Sequence, residues 1–299
     1  MGLDWPTARD LIRRVGKEAR AVGGRLVCGA QTDHLSPGSA RSLQEVIDAY
    51  EEQCAAVEAA GGQVVLMASR ELCRIARGID DYVRVYSEVL RQLRKPALIH
   101  WLGEVFDPAL HGYWGSEDPD QAVENFCTLL RATGEKVEGV KVSLLDQERE
   151  LEIRRRLPSG MRLFTGDDFD YVSMIAGDGE RHSDALLGAL DMIAPAAAAA
   201  LSLLDEGDQD GFRETLDPTL PLSRHVFSTP TQYYKVGVVF LAYLNGHQSH
   251  FRMVGGVEGA RSLPHLCETF RMADAADLLV DPELAVDRMK RVLAVAGVA

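Results

Sequence analysis

Six short, apolar, β-branched runs, each separated from the next by a stretch of helical periodicity, constrain this chain more than any other feature. They lie at 25–30, 63–68, 97–101, 137–142, 161–165 and 184–189. Strand and helix in alternation form βα units, whose natural product is a parallel sheet covered on both faces by helices. The helix punctuation agrees. Asp118-Pro119 and Asp281-Pro282 each set a capping carboxylate before a proline at the first helical position. Over 121–133 the residues Ala122, Val123, Phe126, Leu129 and Leu130 recur at helical spacing, which predicts one face packed on the sheet. The alanines at 196–200, behind Pro195, are expected to open a tightly packed helix. Beyond the sixth run the strand pattern ends, and 234–244 and 260–276 read as helices.

Composition sets the outer limits. A chain of 299 residues, 46% of them hydrophobic, can bury a large core and fits one α/β barrel or two smaller domains. A net charge of -13 argues against nucleic acid or an anionic membrane as partner, since both attract basic patches. The five cysteines, Cys28, Cys54, Cys73, Cys127 and Cys267, are odd in number, widely spaced and set in apolar or helical patterns. They read as reduced thiols in the cytoplasm. No run reaches the roughly 20 apolar residues of a membrane helix, and no apolar stretch follows an N-terminal basic cluster.

One lysine stands out within this pattern. Lys141 sits inside Val137-Glu138-Gly139-Val140-Lys141-Val142-Ser143, near the end of a strand expected to be buried, whereas Lys17, Lys95, Lys136 and Lys290 lie in charged helical stretches or turns. Lys235 is the other lysine in apolar company. Burial disfavours an ammonium, so a lysine in this position can be partly neutral and attack a ketone to form an imine. The structural alternative is that it pairs with a carboxylate or reaches solvent at a strand edge.

Other polar residues cluster just after strand runs. Asp33 lies in the segment 29–34 that follows the first run, and Ser69 and Arg70 end the second, where an arginine can clamp a carboxylate. Asp167 and Asp168 follow the fifth run; Asp167 is the favoured pocket residue, although one of such a pair often caps a helix. Asp191 follows the sixth. His247 and His250, with Asn245, suit a lid, a partner contact or a solvated loop. A metal site would have to draw on Asp33, His34, His100, Asp168, Asp191 and His247, and no close-spaced ligand signature joins them.

Several of these segments, in order, resemble the dihydrodipicolinate synthase and N-acetylneuraminate lyase superfamily. Gly139-Val140-Lys141 matches the segment holding its imine lysine. Arg156-Leu157-Pro158 and then Phe164-Thr165-Gly166-Asp167-Asp168 are similar to the elements that follow. Ser183-Asp184-Ala185-Leu186-Leu187-Gly188 with Ile193-Ala194-Pro195 resembles the last barrel strand and its helix, and Thr229-Pro230 to Lys235 the C-terminal helical region. More specifically, Met67-Ala68-Ser69-Arg70, His100-Trp101-Leu102-Gly103, Gly112-Tyr113-Trp114-Gly115 and Leu244-Asn245-Gly246-His247-Gln248 resemble the uncharacterised branch DUF993.

The resemblance implies an α/β, (β/α)8 barrel of the class I aldolase type with its site at the carboxyl ends of the strands. Two departures qualify it. Only three strand runs precede Lys141, where the superfamily has five, so the first two βα units are expected to be lacking and with them the Thr-Thr motif for the substrate carboxylate. His100 also stands where the superfamily places a proton-shuttling tyrosine; its ordinary pKa suits that work, and a hydrogen-bonded strand histidine is the alternative.

The expected organisation is a barrel portion over 1–194, strands three to eight, and C-terminal helices over 195–299 on the same domain. The expected function is a Schiff-base-forming lyase or aldolase acting on a 2-keto acid or keto-sugar. Lys141 and His100 would be catalytic, and Asp33, Ser69, Arg70, Trp101, Tyr113, Asp167 and Asp191 would hold substrate, with Trp101 walling the pocket. No cofactor beyond the covalent imine is expected, and the partners are a small carbonyl substrate and other copies of the chain. The alternatives are a divalent-metal isomerase or epimerase, and an inactive or binding fragment of a barrel.

Overall fold

The computed structural model describes residues 3–298. The chain forms two compact units that meet between Thr165 and Gly166. That boundary lies upstream of the division expected at 194/195.

The first unit carries a parallel sheet of five strands: β1 (Val27–Ala30), β2 (Gln63–Leu66), β3 (Ala97–Leu102), β4 (Val137–Ser143) and β5 (Arg162–Thr165). They pair in sequence order, each with the next. The helices of this unit are α1 (Trp5–Ala21), α2 (Leu43–Ala59), α3 (Arg70–Ile75), α4 (Ile79–Gln92), α5 (Pro119–Thr133) and α6 (Gln147–Arg156). Each expected run in the unit became a strand, with no bound moved by more than two residues. The second run still extends the ladder beyond β2, because the Met67 N–H donates to the Ala30 carbonyl at 2.9 Å.

Helix α5 forms as its sequence dictates. Pro119 opens it, Asp118 accepts the Gln121 N–H at 2.9 Å, and Ala122, Val123, Phe126, Leu129 and Leu130 are all buried. That face meets an aromatic cluster. Trp101 lies edge-on to Phe126, ring centroids 5.1 Å apart, and Trp114 packs against Phe126, Tyr82, Tyr86 and Tyr113. Trp114 is wholly buried with a left-handed backbone (φ 69°), and the Asn125 amide donates to its carbonyl at 2.9 Å, so burial and a hydrogen bond together offset that conformation.

Close strand approach also requires Gly139. A Cβ there would stand 2.6 Å from the Arg162 carbonyl oxygen and 2.9 Å from the Phe164 ring. The glycine in the sequence run is therefore demanded by β5 rather than by a turn.

The second unit is mainly helical: α7 (Tyr171–Ala176), α8 (Ala189–Met192), α9 (Ala194–Asp205), α10 (Gln209–Leu216), α11 (Leu220–Val226), α12 (Lys235–Leu244), α13 (Leu263–Ala275) and α14 (Pro282–Val295). Its one strand among the described residues, β6, spans only Asp184–Ala185. The run expected to continue to Ala189 stops because the Asp168 carboxylate takes the Ala189 N–H at 2.8 Å and starts α8 there. Asp281 caps α14 as its sequence indicates, accepting the Leu284 N–H at 3.0 Å. In α9 only Ala197 and Ala200 are buried, so the alanine run packs along one edge rather than all round. Among the described residues no helix is long and apolar enough to cross a membrane.

Candidate active site

Side chains on a strand alternate between faces, and residues in register on neighbouring parallel strands share a face. His100 on β3 is in register with Lys141 on β4, and Lys141 with Phe164 on β5. The three form one row across the sheet. Met67, just past β2, joins it, with Sδ 3.2 Å from His100 Nδ1.

Trp101 and Val142, also in register, occupy the opposite face, and the Trp101 ring contacts there are to Trp114 and Phe126. The expectation that Trp101 walls the pocket is thereby corrected: neighbours on a strand cannot both face one cavity.

The row is polar at its centre. Lys141 is half-buried, while His100 is 3% exposed and its Nε2 lies 2.9 Å from the Ser143 hydroxyl. Ser143 is two residues beyond Lys141 on β4 and so on the same face. Burial, reinforced by the Lys141 charge, holds the His100 pKa well below its ordinary value, so its imidazole is neutral. Sequence reasoning assigned Ser143 no role, although its position two residues from Lys141 in a strand was the signal for it.

The other expected residues of the first unit make a second, separate set. Ser69 Oγ is buried, lies 2.6 Å from Thr32 Oγ1 and accepts the Leu72 N–H at 3.0 Å, capping α3. Tyr113 accepts the Ser69 N–H at 3.0 Å and lies 3.0 Å from the Tyr86 hydroxyl, and burial pushes its phenol up to about 12. Tyr50 donates to the Met67 carbonyl at 2.5 Å. This buried hydroxyl group braces the end of β2 and with it Met67.

Arg70 spans Asp107 (2.6 Å) and Asp33 (3.3 Å), so the chain's own carboxylates occupy the guanidinium expected to clamp a substrate. Asp33 is engaged by the same pair. Asp107, which completes the bridge, was not foreseen, since 37 residues separate it from Arg70.

In the second unit, buried Asp167 accepts the Phe169 and Asp170 N–H groups at 2.8 and 3.1 Å, a turn cap of the kind its Gly-Asp-Asp context allows. Asp191 is exposed on α8. Burial lowers the Lys235 pKa, and the Asp191 charge opposes that shift.

Among the described residues no three His, Cys, Asp or Glu side chains are arranged to hold a metal ion. Of the donors named from the sequence, three have other partners: His34 Nδ1 lies 2.8 Å from the Gln53 amide, His100 is held by Met67 and Ser143, and Asp168 binds Ala189.

The family described as a protein of unknown function, DUF993, matches residues 1–298. Among solved structures, a putative dihydrodipicolinate synthetase from Pseudomonas aeruginosa is similar with a TM-score of 0.67 at 13% identity, over 92% of this chain and 82% of that one. Dihydrodipicolinate synthase from Aquifex aeolicus gives 0.66 at 14%, over 94% and 84%. A prophage protein of the dihydrodipicolinic acid synthase family from E. coli K12, in complex with pyruvate, gives 0.68 at 14%, over 92% and 83%. Among curated proteins none matches. At these identities the likeness is one of fold: an α/β architecture of the dihydrodipicolinate synthase kind.

Proposed function

The chain belongs to the DUF993 family, and on that footing we propose that it is a Schiff-base-forming lyase or aldolase acting on a 2-keto acid or keto-sugar through Lys141. One observation carries this reading. Lys141 is in register with a buried, neutral histidine on the neighbouring strand, close to the carboxyl ends of both strands. This juxtaposition supplies an amine and a base on one face. The fold likeness supports it, since the similar structures are named for dihydrodipicolinate synthase and one holds pyruvate.

In this reading the Lys141 amine, once it has given its proton to solvent, adds to the substrate carbonyl to form a carbinolamine; a proton taken up from solvent by the carbinolamine hydroxyl lets it depart as water and leaves a protonated imine. The iminium nitrogen withdraws electrons from the adjacent carbon, so a C–H or C–C bond there can break or form with the pair held as an enamine. His100 receives and returns the proton. The chemistry needs no cofactor other than the imine itself.

The test is reductive trapping. Protein is incubated with pyruvate and a panel of 2-keto acids and keto-sugars, treated with sodium borohydride and weighed intact, then mapped by peptide. The expected result is an adduct at Lys141 that is lost in Lys141→Ala. A folded protein that gives no adduct with any carbonyl overturns the proposal.

A further inference from the structure

The position of the single proton on a neutral imidazole is set by what each ring nitrogen touches. His100 Nδ1 lies 3.2 Å from Met67 Sδ, and a thioether has no proton to give and only accepts. Nδ1 therefore carries the hydrogen. Nε2 then holds the lone pair, and the Ser143 hydroxyl, 2.9 Å away, must donate to it. Ser143 thus points its proton into His100 and leaves its own oxygen lone pairs for another donor. Alternate residues of a strand stand about 7 Å apart on one face, a gap that a lysine side chain and the first substrate carbons can span.

We propose that Ser143 is a catalytic residue that takes the proton from the carbon next to the imine and gives it back, with His100 as its base and Met67 as the positioning residue that fixes the imidazole tautomer. The proposal rests on the imine reading of Lys141. As the C–H bond breaks, Ser143 Oγ takes that proton while its own passes to His100 Nε2. The C–H electrons become the enamine double bond, and the iminium nitrogen becomes neutral. One positive charge leaves the Lys141 nitrogen and one arrives on the imidazole. Because the Lys141 charge disfavours a protonated His100, the two changes favour each other: His100 accepts its proton as its cationic neighbour is discharged. Reversal restores both groups, so atoms and charge balance over the cycle.

The tautomer is tested without turnover. In protein labelled with 15N-histidine and compared with His100→Asn to assign the signal, His100 is expected to show a protonated Nδ1 and a bare, hydrogen-bonded Nε2. A hydrogen on Nε2 overturns the proposal. Turnover then tests the serine. In Ser143→Ala the borohydride adduct with pyruvate is expected to persist, while exchange of the pyruvate methyl hydrogens with heavy water falls about a hundredfold. Ser143→Thr, which keeps the hydroxyl, is expected to recover most of that rate. Exchange in Ser143→Ala at the wild-type rate, or loss of its adduct in a folded protein, overturns the role of Ser143. Absence of an adduct in the wild type would instead overturn the imine reading, and the tautomer measurement stands apart from both.

Discussion

Strands β3 and β4 show two faces of opposite character. Toward α5 they present Ile99, Trp101, Val140 and Val142, all buried and apolar, with Trp101 locked edge-on against Phe126. Toward the other side the same strands present His100, Lys141 and Ser143, coupled by the hydrogen bond between His100 and Ser143 and by the Lys141 charge, which repels a protonated imidazole. The same seven-residue segment, Val137–Ser143, contributes to both faces. Position along the strand, taken modulo two, decides whether a residue serves the core or the site.

The widest break in this contrast would come from exchanging characters between faces. Val142→Asp sets a carboxylate among fully buried apolar groups with no partner, and it is expected to cost at least ~5 kcal/mol or to prevent folding, read by urea melts or soluble yield. Lys141→Met, one residue away on the other face, is expected to stay folded within about 1.5 kcal/mol of the wild type and to lose the borohydride adduct completely. Equal destabilisation by the two would mean that the faces do not differ.

A smaller break removes packing without adding charge. Trp101→Ala empties the contact with Phe126 and Trp114 and is expected to cost ~3–5 kcal/mol in urea, with adduct formation at Lys141 retained in whatever protein remains folded. Loss of the adduct from folded Trp101→Ala would place that ring in the site after all.

Acid sharpens the contrast further, because only the polar face carries a titrating group. Burial keeps His100 neutral in the folded chain, whereas an unfolded histidine takes up a proton near its ordinary value of 6.5. Its folded pKa is lowered, so the stability it contributes is full above pH 6.5 and is lost as the pH falls below. The loss approaches ~1.4 kcal/mol for each pH unit. His265, pushed down to about 4 by burial, acts with the same sign, but its contribution to the slope ends near pH 4. His100→Asn is expected to flatten the slope of unfolding free energy between pH 6.5 and 5, and His265→Asn, whose imidazole is only partly buried and so screened by solvent, to flatten it less. An unchanged slope in His100→Asn would show that His100 binds its proton as readily in the folded chain as in the unfolded one.

The smallest effect belongs to neither face. Arg70 is half exposed and pairs with Asp107 and Asp33, so Arg70→Gln is expected to cost no more than ~1 kcal/mol and to leave trapping at Lys141 unaltered. A large loss of pyruvate adduct in that variant would return Arg70 to the substrate.

How much of this was legible in the sequence depends on the distance over which the cause acts. Strand and helix identity is local, so Val137–Ser143 and Pro119–Thr133 could be read from β-branching, capping and apolar spacing. Lys141 was conspicuous for the same reason. The period of two was equally legible, and applying it to His100 would have sent Trp101 to the core and brought Ser143 to the site. What no local pattern holds is partnership across the fold. Arg70 meets Asp107, Ser69 meets Thr32 and Tyr113, and Asp168 meets Ala189 only because tertiary packing brings them together. The shortening of the sixth strand belongs to that class, since Leu186-Leu187 continues the apolar pattern while the Asp168 carboxylate starts a helix just beyond it.

The edge-to-face pair of Trp101 and Trp114, ring centroids 6.0 Å apart, has an optical consequence. Two indoles so close couple their strong excited states and are expected to give an exciton signature in far-ultraviolet circular dichroism. Trp5, the third tryptophan of the chain, lies instead beside His34. Since Trp101 and His100 share one strand and point to opposite sides, any ligand that shifts β3 changes the geometry of that coupling. The chain therefore carries a built-in, label-free reporter on the back of its own candidate site.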